Sequence, residues 1–222
     1  MERIASLARE VERVGALLDG LAEPDWKRET RCPPMRVLEL AAHVWRGSGR
    51  IVEMLDAGPI NAEPEKDGAT YFQYDVDATS PEVLRRAQQA AAEFASGRAL
   101  VDAWSGAWPL ALARADEAVR SGDPVFPGAF GTIRMSEYLR TRLVEVTVHH
   151  MDLRDAFGAE PDPDPGAAEE AAGVLRTLLG TDMRPFGTDD VRFLLVGTGR
   201  AQLDDRERES LGPLADMFPL LA

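Results

Sequence analysis

His43, Glu145 and His149 are the residues of this chain whose types could do chemistry together. Glu145 and His149 stand four residues apart, so on a helix a carboxylate and an imidazole lie one turn from each other and can share a cation. Two ligands do not hold a metal. The sequence has three histidines, His43, His149 and His150, so the search for a third ligand is short. His150 lies about 100° around the helix from His149 and belongs to packing. That leaves His43. Two imidazoles and one carboxylate leave a coordination position open, as in catalytic rather than closed structural zinc sites. An i, i+4 Glu–His pair is also an ordinary helix-surface pair, and spacing alone leaves both readings open.

The element that must carry two of these ligands is Thr132 to Gly158, which the periodicity predicts as one long helix. Tyr138, Arg142, Glu145, His149 and Asp152 share one face of it, and Leu139, Leu143, Val146, His150 and Leu153 form the neighbouring stripe. Asp152 is placed either to accept a hydrogen bond from His149 or to pair with Arg154 or Arg142. His43 falls at the edge of the apolar stripe of a helix from Met35 to Ala57, whose Gly47 lies one turn further along the same face. A glycine inside a helix costs roughly 0.5–1 kcal/mol, so Gly47 leaves room either for a ligand beside the imidazole or for a close helix neighbour.

Two further long helices are expected, Glu2 to Leu21 and Arg98 to Arg120, the latter with Trp104 and Trp108 in the core. A shorter helix begins at Ser80, taken as N-cap with Pro81 behind it. Gly58 to Thr79 has no sustained period and reads as a loop, with Tyr71, Phe72 and Tyr74 suited to a pocket mouth. AEPDPDPG after Gly158 reads as a linker that does not pack. Beyond it, Ala167 to Leu179 is helical and closed by Gly180, Val191 to Val196 reads as a strand, and Asp204 to Leu211 is helical. The expected architecture is mainly α: a four-helix bundle over 1–158 and a small α/β appendage over 166–222.

Composition narrows the partners. A net charge of −13 over 222 residues excludes the clustered basic face that nucleic acid or an anionic membrane requires. A single cysteine, Cys32, allows no internal disulfide, and its place before two prolines suggests a loop anchor rather than a nucleophile. No apolar run approaches the roughly 20 residues of a membrane span, and charges interrupt the first fourteen residues. The expectation is a cytoplasmic protein, monomer or homodimer.

The two ligand-bearing stretches also carry a resemblance. LELAAHVWRG, with His43, resembles the L-x-x-H-V/L box, and RLVEVTVHHMDL resembles the R-x-x-E-x-x-V-H-x-x-D-L box, of the mycothiol-dependent maleylpyruvate isomerase family. The resemblance implies a DinB-like four-helix bundle in which His43, Glu145 and His149 bind a divalent metal, usually zinc. It also implies mycothiol as thiol cosubstrate and a small-molecule electrophile as substrate, for cis–trans isomerisation or for S-transfer. CPPM stands where family members commonly read C-P-G-W, and the C-terminal part is short, which leaves the particular substrate open. A cation in such a site would hold an entering thiol as thiolate. The chemistry then needs a cationic group for a substrate carboxylate or developing enolate. Arg142, Arg50 and Arg200 are the candidates in that order, although Arg142 could instead brace Glu145 and Arg200 could be a solvated turn residue. A binding module without turnover and a metal-dependent hydrolase are the competing readings.

Overall fold

The computed structural model describes residues 2–181, 186–187 and 189–221. Helix α1 (Glu2–Asp19) buries Leu7, Val11, Val14 and Leu18, and α2 (Val37–Ala57) buries Val37, Leu40, Ala41, Val44 and Ile51. Helix α3 (Val76–Ala92) lies on α2. Helix α4 (Gly97–Arg120) buries both Trp104 and Trp108, and a hairpin of β1 (Val125–Gly128) and β2 (Gly131–Arg134) leads into α5 (Met135–Asp155). The packing closes a ring: α1 meets α4, α4 meets α2, α2 meets α5, and α5 meets α1. This is the expected four-helix bundle, and among the described residues the two-stranded hairpin is the only sheet. Helix α6 (Pro165–Leu179) covers α5 and α1, α7 (Asp190–Gly197) lies on α6, and α8 (Asp205–Leu211) precedes a 3₁₀ turn, Gly212–Met217. None of the described helices is long and apolar enough to cross a membrane.

Several expectations are corrected. Residues 132–134 are strand rather than helix, with Phe126 opposite Ile133 and Gly128 opposite Gly131. Gly128 is required there, because a Cβ would stand 2.7 Å from the Gly131 carbonyl oxygen and 3.2 Å from the Tyr71 ring. The helix expected from Ser80 begins earlier: the Asp75 carboxylate accepts the Ala78 N–H at 3.0 Å, and Pro81 lies inside α3. Residues 191–196 are the body of α7, not a strand. Asp189 caps it through the Arg192 N–H at 2.8 Å, and Phe193, Leu194, Val196 and Gly197 are buried on a helical period. A six-residue apolar run satisfies a buried helix as well as a strand, and no partner strand exists among the described residues.

The segment after Gly158 also packs, against its composition. Pro163 and Asp164 are buried, and the Asp164 N–H donates to Glu10 Oε2 at 2.6 Å. Glu10 Oε1 in turn pairs with His150 Nδ1 at 2.8 Å. His150 therefore faces the α1–α6 side of the core, as its position on the helix predicts. The long connection before α3 is tied down too: the Glu65 and Lys66 N–H groups donate to the Thr132 carbonyl oxygen, and the Gly68 N–H to Glu137 Oε2.

Candidate metal centre

Helices α2 and α5 run antiparallel, and their register builds the site. His43 faces Glu145, and a Cβ on Gly47 would lie 3.7 Å from Arg142 Cδ. One turn beyond, Arg50 lies on the side of α2 that faces Tyr138. The His43 Nε2 lies 3.1 Å from Glu145 Oε2, His149 Nε2 lies 3.7 Å from the same oxygen, and the two rings meet edge to face at 5.2 Å. All three ligand atoms fall within 4.8 Å of one another. Bonds of about 2.1 Å at a tetrahedral angle separate ligands by about 3.4 Å, a value the observed pair distances bracket, so the residues fit a divalent cation.

The far side of His149 is equally ordered. Asp152, fully buried, accepts from His149 Nδ1 at 2.9 Å, which sets the proton on Nδ1 and turns Nε2 toward Glu145. Arg200 grips Asp152 from behind, Nη2 to Oδ2 at 2.7 Å and Nε to Oδ1 at 2.9 Å, while its Nη1 donates to the Thr198 carbonyl oxygen at 2.7 Å. The Cys32 thiol donates to Asp152 Oδ2 at 3.2 Å. Cys32 is half-buried and attached to the site, beside His149, a histidine that its sequence neighbourhood does not contain. Arg200 is not a solvated turn residue: its nitrogens bind Asp152 and the Thr198 carbonyl oxygen.

A second cluster of ligand types, Cys32, His149 and Asp152, shares His149 with the first. It does not suit a cation. Both Asp152 oxygens are taken by the Arg200 guanidinium, whose charge already fills that position. Cys32 and Arg200 also line a cavity of about 620 Å³ with Arg31, Gly199, Phe218 and Pro219, and none of His43, Glu145 and His149 reaches it.

The electrostatics follow from these contacts. Burial alone would raise the Glu145 carboxyl, but the Arg142 guanidinium and the His43 and His149 imidazoles outweigh it and hold the group well below the usual carboxylate range. Burial likewise opposes ionisation of Asp152, and Arg200 and His149 overcome it, keeping the carboxylate charged. Burial would lower His149, yet its hydrogen bonds to Asp152 and Cys32 push the imidazolium up to about 10. Glu145 also faces Arg142, whose Nη2 stands 3.9 Å from Oε1. Arg50 pairs with Glu53 further along α2.

Residues 7–154 match the model of one protein family, the mycothiol maleylpyruvate isomerase N-terminal domain. The chain belongs to this family. The match runs from α1 to the end of α5 and so includes His43, Glu145, His149, Asp152 and Arg142, whereas Arg200 lies beyond it. No curated protein and no solved structure matches the chain.

Proposed function

We propose that this member of the mycothiol maleylpyruvate isomerase family is a divalent-metal, thiol-dependent enzyme acting on a small electrophile, with zinc as the metal and mycothiol as the thiol. The observation that carries the reading is the triad of His43, Glu145 and His149, spaced for one cation and backed by an Asp152 that fixes the His149 tautomer. Held there, the cation supplies the positive charge that keeps a thiol ionised at neutral pH. The chain's own part is to present Nε2 of both histidines and one Glu145 oxygen, to hold His149 through Asp152 and Arg200, and to leave the side of the triad toward Gly47 and Arg142 for the reactants. In the isomerase reading the thiol adds to the activated double bond of a maleylpyruvate-like acid. Rotation about the new single bond and expulsion of the thiol then give the trans isomer. In S-transfer the adduct would leave instead, and the family's description favours isomerisation. Low-molecular-weight thiols stay reduced in the cytoplasm, where the proposal places the protein.

Elemental analysis after incubation with zinc tests the centre: one ion per chain in wild type, and none retained by His43→Ala or Glu145→Ala. Mycothiol-dependent turnover of maleylpyruvate by the loaded wild type then completes the test. Bound zinc with no thiol-dependent turnover of this or other electrophiles would leave a metal-binding module.

A further inference from the structure

The cavity of about 620 Å³ beside Cys32 takes its charge from arginine alone. Among the described residues, Arg31, Arg200 and Arg208 line it and no Asp or Glu does, in a chain with 38 acidic residues against 25 basic ones. Arg31 donates to Asp155 at 2.9 and 3.1 Å, and Arg200 to Asp152 at 2.7 and 2.9 Å, yet neither carboxylate lines the cavity. Arg208, exposed on α8, makes no side-chain hydrogen bond or ion pair among the described residues. A cleft walled by one sign of charge, with its counter-charges outside, concentrates ions of the other sign.

The walls between these charges are apolar and held in place. The Leu220 and Leu221 N–H groups donate to the Gly197 carbonyl oxygen at 2.8 and 2.9 Å, and the Phe218 ring meets that of buried Phe193 at 6.1 Å. Arg192 clamps α8 through both Glu207 oxygens at 2.7 Å, which fixes the helix that carries Arg208. Val196, Leu203 and Phe218 supply apolar surface. A preformed space of roughly 300–1,000 Å³ with few polar groups suits one small molecule. Except for Arg31 and Cys32, every lining residue lies beyond residue 154, outside the stretch that the family model matches. The triad does not reach the cavity, so it is a second place for a ligand rather than part of the metal centre.

We infer that this cavity binds an organic monoanion, with its oxyanion on Arg208 and its apolar body against Phe218 and Leu203. A single charge follows from the balance of the walls: Asp152 and Asp155 answer two of the three guanidinium groups and leave Arg208 to the ligand. The fork of N–H donors on a guanidinium matches a carboxylate or a sulfonate oxygen pair. The inference does not rest on the metal and thiol reading, and its test needs no zinc.

Benzoate and benzenesulfonate are the probes, titrated by calorimetry into the zinc-free full chain at constant ionic strength, beside neutral benzamide and acetate, which lacks the apolar body. One site per chain is expected for the aromatic anions, with benzamide and acetate weaker by about tenfold or more, and the tighter anion identifies a planar or a tetrahedral charged end. Arg208→Ala should weaken both anions by about fivefold or more with an unchanged circular dichroism spectrum. Cys32 lines the cavity and is the one cysteine of the chain, so its alkylation by the neutral reagent iodoacetamide reports occupancy and should slow several-fold at saturation. If Cys32 alkylates too slowly to follow, Gln202→Cys, exposed on the same wall, takes over as reporter. Benzamide or acetate bound as tightly as benzoate, wild-type affinity in Arg208→Ala, or no binding of either aromatic anion at about 20 mM overturns the site. Binding that leaves the alkylation rate untouched puts the anion elsewhere and overturns it too. His43→Ala should bind both anions as wild type does, and a loss there would return the anion to the triad and overturn the separate site.

Discussion

His149 is where the two halves of the site meet. Its Nε2 belongs to the triad and its Nδ1 to Asp152, which Arg200 and Cys32 hold from behind. With its imidazolium pushed up to about 10, against an ordinary value of 6.5, His149 in the metal-free protein binds a proton that the unfolded chain releases earlier. The sign follows directly. Its contribution to stability is fully present below pH 6.5 and is lost as pH rises through about 10, a change on the order of a few kcal/mol for a nearly buried group. Urea denaturation of zinc-free protein between pH 6 and 10.5 should show this decline. In Asp152→Asn, which removes the charge that raises His149, the decline should flatten. An equal decline in both proteins would mean that other groups carry it.

At the scale of elements, the antiparallel register of α2 and α5 places His43 by Glu145 and Gly47 by Arg142. A Cβ at Gly47 would meet Trp108 at 3.4 Å and Arg142 at 3.7 Å, ordinary contacts, so the helix itself does not demand glycine there. Gly47→Ala should stabilise α2 by about 0.5–1 kcal/mol and keep the metal. If the space beside His43 serves the thiol, as proposed, the same variant should bind mycothiol several-fold more weakly, and unchanged thiol affinity would remove Gly47 from the site. Such elements were legible in sequence because long amphipathic helices repeat their stripe many times: α1, α2, α4 and α5 all follow from apolar spacing, and His43, Glu145 and His149 from their places on it. Short elements gave no such repetition. The hairpin has four residues a side with Pro127 in one strand, and VRFLLV fits a buried helical turn as well as a strand. Cys32 and Arg200 reach Asp152 from loops distant in sequence, and no local pattern announces a contact of that kind.

For the whole molecule, the decisive question is whether residues 1–158 stand without the rest. Helix α6 places Ala167, Ala171, Val174 and Leu175 in the same core as α1 and α5, and Asp164 ties Glu10, partner of the buried His150, to the start of α6. Removing residues 159–222 would wet the faces of α1 and α5 that α6 covers and leave the Glu10 carboxylate without the Asp164 N–H. It would also strip Arg200 from a fully buried Asp152. Each buried aliphatic side chain is worth roughly 1.5–3 kcal/mol, and an unpaired buried charge about as much again, against a net stability of roughly 5–15 kcal/mol for a domain. The losses match the reserve. A fragment ending at Gly158 should therefore lack a cooperative thermal transition. If zinc partly rescues it, its affinity should fall about 10–100-fold, because Asp152 no longer holds His149 firmly. Circular dichroism melting and zinc titration of the fragment beside the full chain measure both. A fragment that melted cooperatively within about 5 °C of the full chain and bound zinc as tightly would make the bundle self-sufficient and reduce the C-terminal segment to a covering.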